Sequence, residues 1–214
     1  MEFRNVKALL KPLIRSGHEW QATSINGVYK KPKFYLSNIQ WFLFILGGLS
    51  LLRLPRGLSK DIIGYIMSAF AISVSLFMSL LVSIFDKFEK TKLEKDNAGE
   101  LELARLIQKK NFFKRFISIT SYLVVLSIII VVLCSFSYIF NLPARKLKTE
   151  DFTLVWKQID LTVTLRNICV FAFRICFNYL LLNYLLLTLF ITGSAYDYYM
   201  SEMNNRKIVD KEPV

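Results

Sequence analysis

Hydrophobic and polar positions alternate along this chain on the scale of whole helices. Four uncharged, mostly apolar stretches, residues 34–52, 62–85, 116–144 and 175–196, run for 19, 24, 29 and 22 residues. A helix needs about 20 apolar residues to cross a hydrocarbon core roughly 30 Å thick. Each stretch therefore predicts a membrane span, and backbone polar groups in such spans must be satisfied within helices. The predicted fold class is all-α: a polytopic membrane protein with four transmembrane helices. Residues 1–33 form an amino-terminal region, 34–200 the membrane domain with an outer loop at 145–166, and 201–214 a tail.

The polar segments carry their own periodicity. Phe3, Val6, Leu10, Leu13 and Ile14 recur every three or four residues, with Arg4, Lys7, Lys11 and Arg15 between them. That is a basic amphipathic helix, either an interfacial membrane anchor or a docking helix for a partner. Its apolar residues form no continuous run, so no signal peptide is expected. Pro12 is placed to kink it, Gly17 to end it, and 18–33 reads as irregular linker.

Residues 86–115 alternate in charge sign and break at Asp96, Asn97, Ala98 and Gly99. Asn97 and Glu100 have capping-box spacing. The segment predicts a cytoplasmic helical hairpin between the second and third spans, read either as a solvated extension or as a partner-binding element. Lys87, Lys90, Lys92, Lys95, Arg105, Lys109 and Lys110 are its candidate docking residues.

Charge sets the expected orientation. Nineteen Lys and Arg fall in the amino-terminal region, central loop and tail, against eight in the other two loops. The positive-inside rule then places both termini in the cytoplasm. The net charge of +12 is spread over both faces. That distribution suits anionic lipid headgroups and argues against direct nucleic-acid binding.

Within the second span, Gly64, Ser68, Ala71, Ser75, Ser79 and Ser83 make a stripe of small residues for close helix packing, inside the bundle or between subunits; a polar pore lining is the alternative. In the last span, Asn178 and Asn183 should bond another helix or a second subunit. Arg174 reads as a boundary residue snorkelling to headgroups, with a buried functional cation as the alternative. Phe152, Val155, Trp156 and Ile159 predict a short helix on the outer leaflet, Trp156 at headgroup depth. Arg4, Lys7, Lys11, Arg15, Trp156 and Arg174 are thus the membrane-interface candidates.

Chemistry is absent from the pattern. Cys134, Cys169 and Cys176 have no metal spacing, and His18 is the one histidine. There is no Ser-His-Asp set, no carboxylate pair inside a span and no phosphate-binding glycine loop, so no enzyme and no cofactor are expected. Proton-coupled export lacks its intramembrane carboxylate, since the first span offers only Asn38 and Gln40.

In size, in its four spans and in its central basic loop 86–115, the chain resembles the membrane-subunit family, KwaA, of the bacterial Kiwa antiphage systems. The resemblance implies a homo-oligomer, a tetramer, in the bacterial inner membrane that detects infection and works with a cytoplasmic DNA-binding partner. The expected function is a non-enzymatic membrane sensor or anchor that relays perturbation to a cytoplasmic protein. A pore-forming or holin-like effector is the alternative.

Overall fold

The structure, a computed structural model, describes residues 3–30, 36–53, 58–90, 99–139 and 161–204. Among the described residues it is all-helical: α1 (Phe3–Gln21), α2 (Asn38–Arg53), α3 (Lys60–Glu89), α4 (Glu100–Ile139) and α5 (Leu161–Asn204). Three of these, α3, α4 and α5, are long and apolar enough to cross a membrane. The first expected span appears as a shorter apolar helix, α2, whose 16 residues rise about 24 Å.

The starts of α3 and α4 are chemically marked. The Ile62 amide donates to Ser59 Oγ at 3.3 Å, capping α3. Gly99 supplies its carbonyl to the amides of Glu102 and Leu103, and Glu100 and Glu102 complement the dipole of the first turn of α4. Hydroxyls within the apolar segments turn back on their own helix. Ser127 donates to Leu123, Ser135 to Val131, Thr188 to Tyr184 and Thr192 to Thr188, each to the carbonyl four residues earlier. This removes donors that hydrocarbon could not satisfy.

Neighbouring helices run antiparallel. Phe88 near the end of α3 meets Phe113 near the start of α4, while Lys60 lies over Tyr138 at the other end. Phe112 stacks on Tyr198 at 3.9 Å, joining the start of α4 to the end of α5. Gln40 and Ser50 of α2 reach Asn183 and Asn178 of α5, in reversed order along the chain. The start of α4 and the ends of α3 and α5 therefore lie at one end, the end on which α1 packs, while α2 starts beside the middle of α5.

The core runs along α4 through Phe112, Phe116, Ile119, Leu123, Leu126, Ile130 and Cys134, joined by Phe177, Tyr184, Leu187 and Ile191 of α5. Helix α3 joins this core through Ile63, Phe70, Phe77 and Ile84, seven residues apart. Seven residues advance the helix by nearly two turns, so the four side chains form one seam.

Several sequence expectations change here. Helix α1 passes through Gly17 and ends at Gln21, because the missing Cβ lets it lie against α4. Pro12 sits inside the helix. The expected linker contains a tight loop in which Thr23 bridges Tyr29 and Gly27 adopts φ +80°. Helix α5 begins at Leu161, inside the stretch read as outer loop. Helix α4, not α3, is central to the fold. The turn of the expected hairpin, Asn97 included, and the expected outer helix with Trp156 lie outside the described residues, as do Lys92 and Lys95.

Candidate functional site

Two linked features stand out at the α1 end of the bundle: a buried junction of amides and a charged cleft. The junction begins with a capping box. Ser37 Oγ accepts from the Gln40 amide at 3.3 Å, and Gln40 Oε1 accepts from the Ser37 amide at 3.0 Å. The Gln40 side chain is 6% exposed, and its Nε2 donates to Gln21 Oε1 at 3.1 Å and to Asn183 Oδ1 at 3.3 Å. One glutamine thus closes the start of α2, holds the end of α1 and bonds α5. Asn183 lies 14 residues before Asp197, about 21 Å along the helix. The α2 start therefore sits beside the apolar middle of α5, where orphan amides are costly and internal capping is required.

Further along the same crossing, Gly47 lets the α2 backbone approach α5. A Cβ there would lie 3.3 Å from the Tyr179 backbone nitrogen. Asn178 Nδ2 donates to Ser50 Oγ at 2.8 Å, and Ser50 Oγ donates to the Gly47 carbonyl at 2.7 Å. Asn178 and Asn183 therefore bond another helix of the same chain, the first of the two roles open to them.

The end of α1 docks on α4. Ser16 and Ser118 share a hydrogen bond of 2.8 Å, and a Cβ added at Gly17 would lie 2.6 Å from Tyr122 Cβ. His18 tilts against the Tyr122 ring, 5.3 Å between centroids. Asn111 Nδ2 donates to the Ile25 carbonyl and Gln108 Nε2 to Asn26 Oδ1, fixing the following loop along α4. Before Ser16 the helix is open: Leu9 is 73% exposed, and Lys7, Lys11 and Arg15 project outward, with Arg15 paired to Glu19. Arg4 lies in its first turn.

Burial depresses the His18 pKa below its ordinary value of 6.5. The undocked helix therefore binds a proton more readily than the docked one. Docking is unaffected above about pH 6.5 and weakens as pH falls below it, until the docked imidazole also titrates. Protection factors across residues 16–30, corrected for the intrinsic slowing of amide exchange at lower pH, should fall between pH 7 and pH 5, and His18→Gln should flatten that response.

Beside this dock lies a cleft of about 750 Å³. The 24–26 loop forms one wall; α4 contributes Glu102, Arg105, Leu106, Gln108, Lys109 and Arg115; the end of α5 contributes Asp197, Tyr198 and Glu202. The Arg115 guanidinium lies 4.3 Å over the Phe190 ring and within electrostatic reach of Asp197. Among the described residues its Nε finds no acceptor. Lys109 and Glu202 are 3.9 Å apart, and Lys87 sits 4.7 Å over the Tyr199 ring. Lys90, Arg105 and Lys110 are exposed.

The structure disperses the other candidates. Gly64, Ser68, Ala71, Ser75, Ser79 and Ser83 are all exposed, and a Cβ on Gly64 would meet nothing within 4 Å. Their stripe does not pack inside the bundle, because α3 turns its Ile63–Phe70–Phe77–Ile84 seam inward instead. Arg174 is 7% exposed, covered by protein. No trio of His, Cys, Asp or Glu among the described residues is placed to hold a metal.

Gln21, Gln40, Gly17 and Arg115 carry this site without having been singled out for it. The Ser37–Gln40 spacing was a readable capping signal. Nothing local to residues 17 or 21 marked their contacts, which are made with α4 and α2.

Against known proteins, no family model, no curated protein and no solved structure matches this chain. Among the described residues the fold is all-helical with three helices able to cross a membrane, the signature of a multi-pass membrane protein.

Proposed function

We propose that this protein is a non-enzymatic, oligomeric sensor-relay of the bacterial inner membrane, with four spans and cytoplasmic termini. In this reading it detects membrane perturbation, as in phage infection, and passes it to a cytoplasmic protein partner in the manner of the Kiwa membrane subunits. The observation that supports this most is the bonding path from Gln21 through Gln40 to Asn183. It joins a basic amphipathic helix to the apolar middle of the bundle, so a shift of α2 against α5 has a stiff route to the docked end of α1. A signal of this kind needs two packings of different affinity for the partner, and the junction is the element whose making or breaking would separate them.

Assembly is assigned to α3. Its small residues face outward, where close approach of a second copy would bury them. Ser75→Leu with Ser79→Leu should reduce the native-gel complex to a smaller species while leaving the monomer fold intact; an unchanged complex would remove α3 as the interface. Affinity purification from the host in mild detergent should recover a stoichiometric soluble partner, captured through Lys90, Arg105 and Lys110.

The pore-forming reading draws on the same exposed face of α3, which carries Ser68, Ser75, Ser79 and Ser83. Ser79 donates to the Ser75 carbonyl, which suits a lipid or helix contact as well as a water-filled lumen. Purified protein in planar bilayers should be electrically silent as a relay and conductive as a pore.

A further inference from the structure

The cleft beside α1 contains equal numbers of opposite charges, the cations and one carboxylate on α4 and two carboxylates on α5. Arg105, Lys109 and Arg115 are the cations; Glu102, Asp197 and Glu202 are the carboxylates. Arg115 directly precedes the apolar stretch 116–144, and Asp197 directly follows 175–196. The cleft therefore lies at the border of the apolar zone, the level at which headgroups sit around spans of this length. At about 750 Å³ it is of the size that encloses a drug-sized molecule, larger than a free phosphate requires. Leu106 and Ile25 give it an apolar wall.

Two details indicate the chemistry. A half-buried arginine lining the cleft is suited to a phosphate contact, because a guanidinium binds phosphate through charge-assisted hydrogen bonds. Carboxylates close by suit an ammonium, which can donate three hydrogen bonds. A purely anionic headgroup would meet those carboxylates unfavourably, and a quaternary choline has no N–H to offer them.

We infer that this cleft is a headgroup site for an amine-bearing zwitterionic phospholipid, with phosphate held by Arg105, Lys109 and Arg115 and ammonium by Glu102, Asp197 and Glu202. The site deepens the proposed membrane reading and depends on it for the source of its ligand. It would place a lipid against the elements that dock α1, so that changes in the leaflet act directly on the relay.

The test is native mass spectrometry of the full-length protein in mild detergent, titrated with phosphatidylethanolamine, phosphatidylcholine and phosphatidylglycerol of matched acyl chains. The ethanolamine lipid should be retained roughly tenfold over both others, the effect of one or two charge-assisted hydrogen bonds. Asp197 is exposed, so Asp197→Asn should leave the fold intact. It should lower ethanolamine-lipid retention to the level of the glycerol lipid, whereas Arg115→Gln should weaken both. Equal retention of the three lipids, preference for the glycerol lipid, or an unchanged ratio in Asp197→Asn would overturn the assignment. Displacement by soluble glycerophosphoethanolamine at the same concentration as lipid would also overturn it, pointing to a soluble ligand. Loss of lipid selectivity with partner capture intact would remove the headgroup site alone, leaving the relay reading standing.

Discussion

Gln40→Leu is expected to destabilise the detergent-solubilised protein by about 3 kcal/mol, a large fraction of what holds a small domain together. The substitution is nearly volume-conserving, so the loss comes from hydrogen bonds and not from a cavity. It removes half of a capping box, typically about 1 kcal/mol. It also leaves Gln21 Oε1 and Asn183 Oδ1 without the donor they share, and Asn183 is only 3% exposed. Each orphaned acceptor costs roughly 1–3 kcal/mol in a soluble core, with the lower end appropriate where unfolded spans also find partners. Unfolding by increasing SDS fraction, followed by tryptophan fluorescence, reads this directly, since Trp20 and Trp41 flank the junction in sequence. Trp41→Phe, at an exposed position one residue away, should change stability by no more than about 0.5 kcal/mol. The double variant Gln40→Leu with Asn183→Leu should be less destabilised than the two single effects added together, because both partners of one bond have been removed. Strict additivity would mean that the two side chains do not work as a pair.

Gly17→Leu should release α1 from α4. Even alanine would bring its Cβ to 2.6 Å from Tyr122 Cβ and 2.8 Å from Cγ. Those atoms sit at the root of the side chain, so rotation of Tyr122 relieves little and the helices must separate. Overpacking of this kind costs about 1–3 kcal/mol, and more for a side chain as large as leucine. Separation would also strain the Ser16–Ser118 hydrogen bond and the His18–Tyr122 ring contact, which are made at the same height. Faster amide exchange through residues 13–30, with exchange in α4 and α5 unchanged, is the expected signature. Tyr122→Gly introduced alongside Gly17→Ala removes both contacting atoms and should restore protection in part, whereas Tyr122→Ala keeps the Cβ at 2.6 Å and should not. If Gly17→Ala is as protected as the natural protein, α1 is not held by this contact. In the proposed relay, Gly17→Leu abolishes signalling without disturbing assembly through α3, which separates the two roles.

The contacts on which both predictions rest were unequally visible in the sequence. Ser37 and Gln40 announce a helix start by their spacing, yet the start falls inside an apolar run, and hydropathy merges it with the span. Hydropathy averages over a window, so one glutamine among Trp, Phe and Leu neighbours changes the sum little. Asn178 and Asn183 were legible as residues that must face protein, because amides in hydrocarbon are costly. That their partners are Ser50 and Gln40 depends on the antiparallel pairing of α2 with α5. Gly17 read as a helix stop because glycine is common there. Its actual role is steric and depends on Tyr122, more than a hundred residues away in the chain.

The α3 stripe shows the same division from the other side. Its four-residue steps were plain in the sequence, but a helix has several faces, and periodicity does not say which one meets its own chain. The larger apolar seam of Ile63, Phe70, Phe77 and Ile84 buries more surface and takes the inward position, leaving the small residues outside. Arg174 likewise stands where a boundary residue would, but the packed bundle covers it.

By itself, then, the sequence determined what is additive along a helix: the all-helical class, the long apolar stretches and the basic amphipathic start. These follow from residue composition and period, which need no knowledge of neighbours. The tertiary structure decided what depends on pairs of distant residues: α4 as the central helix, Gln40 as the hub of the buried junction, Gly17 as a point of close approach, and the gathering of opposite charges in the cleft. Each is a contact between separate elements. Packing and hydrogen bonding are short-ranged in space, so which residues share them is fixed only when the helices are brought together.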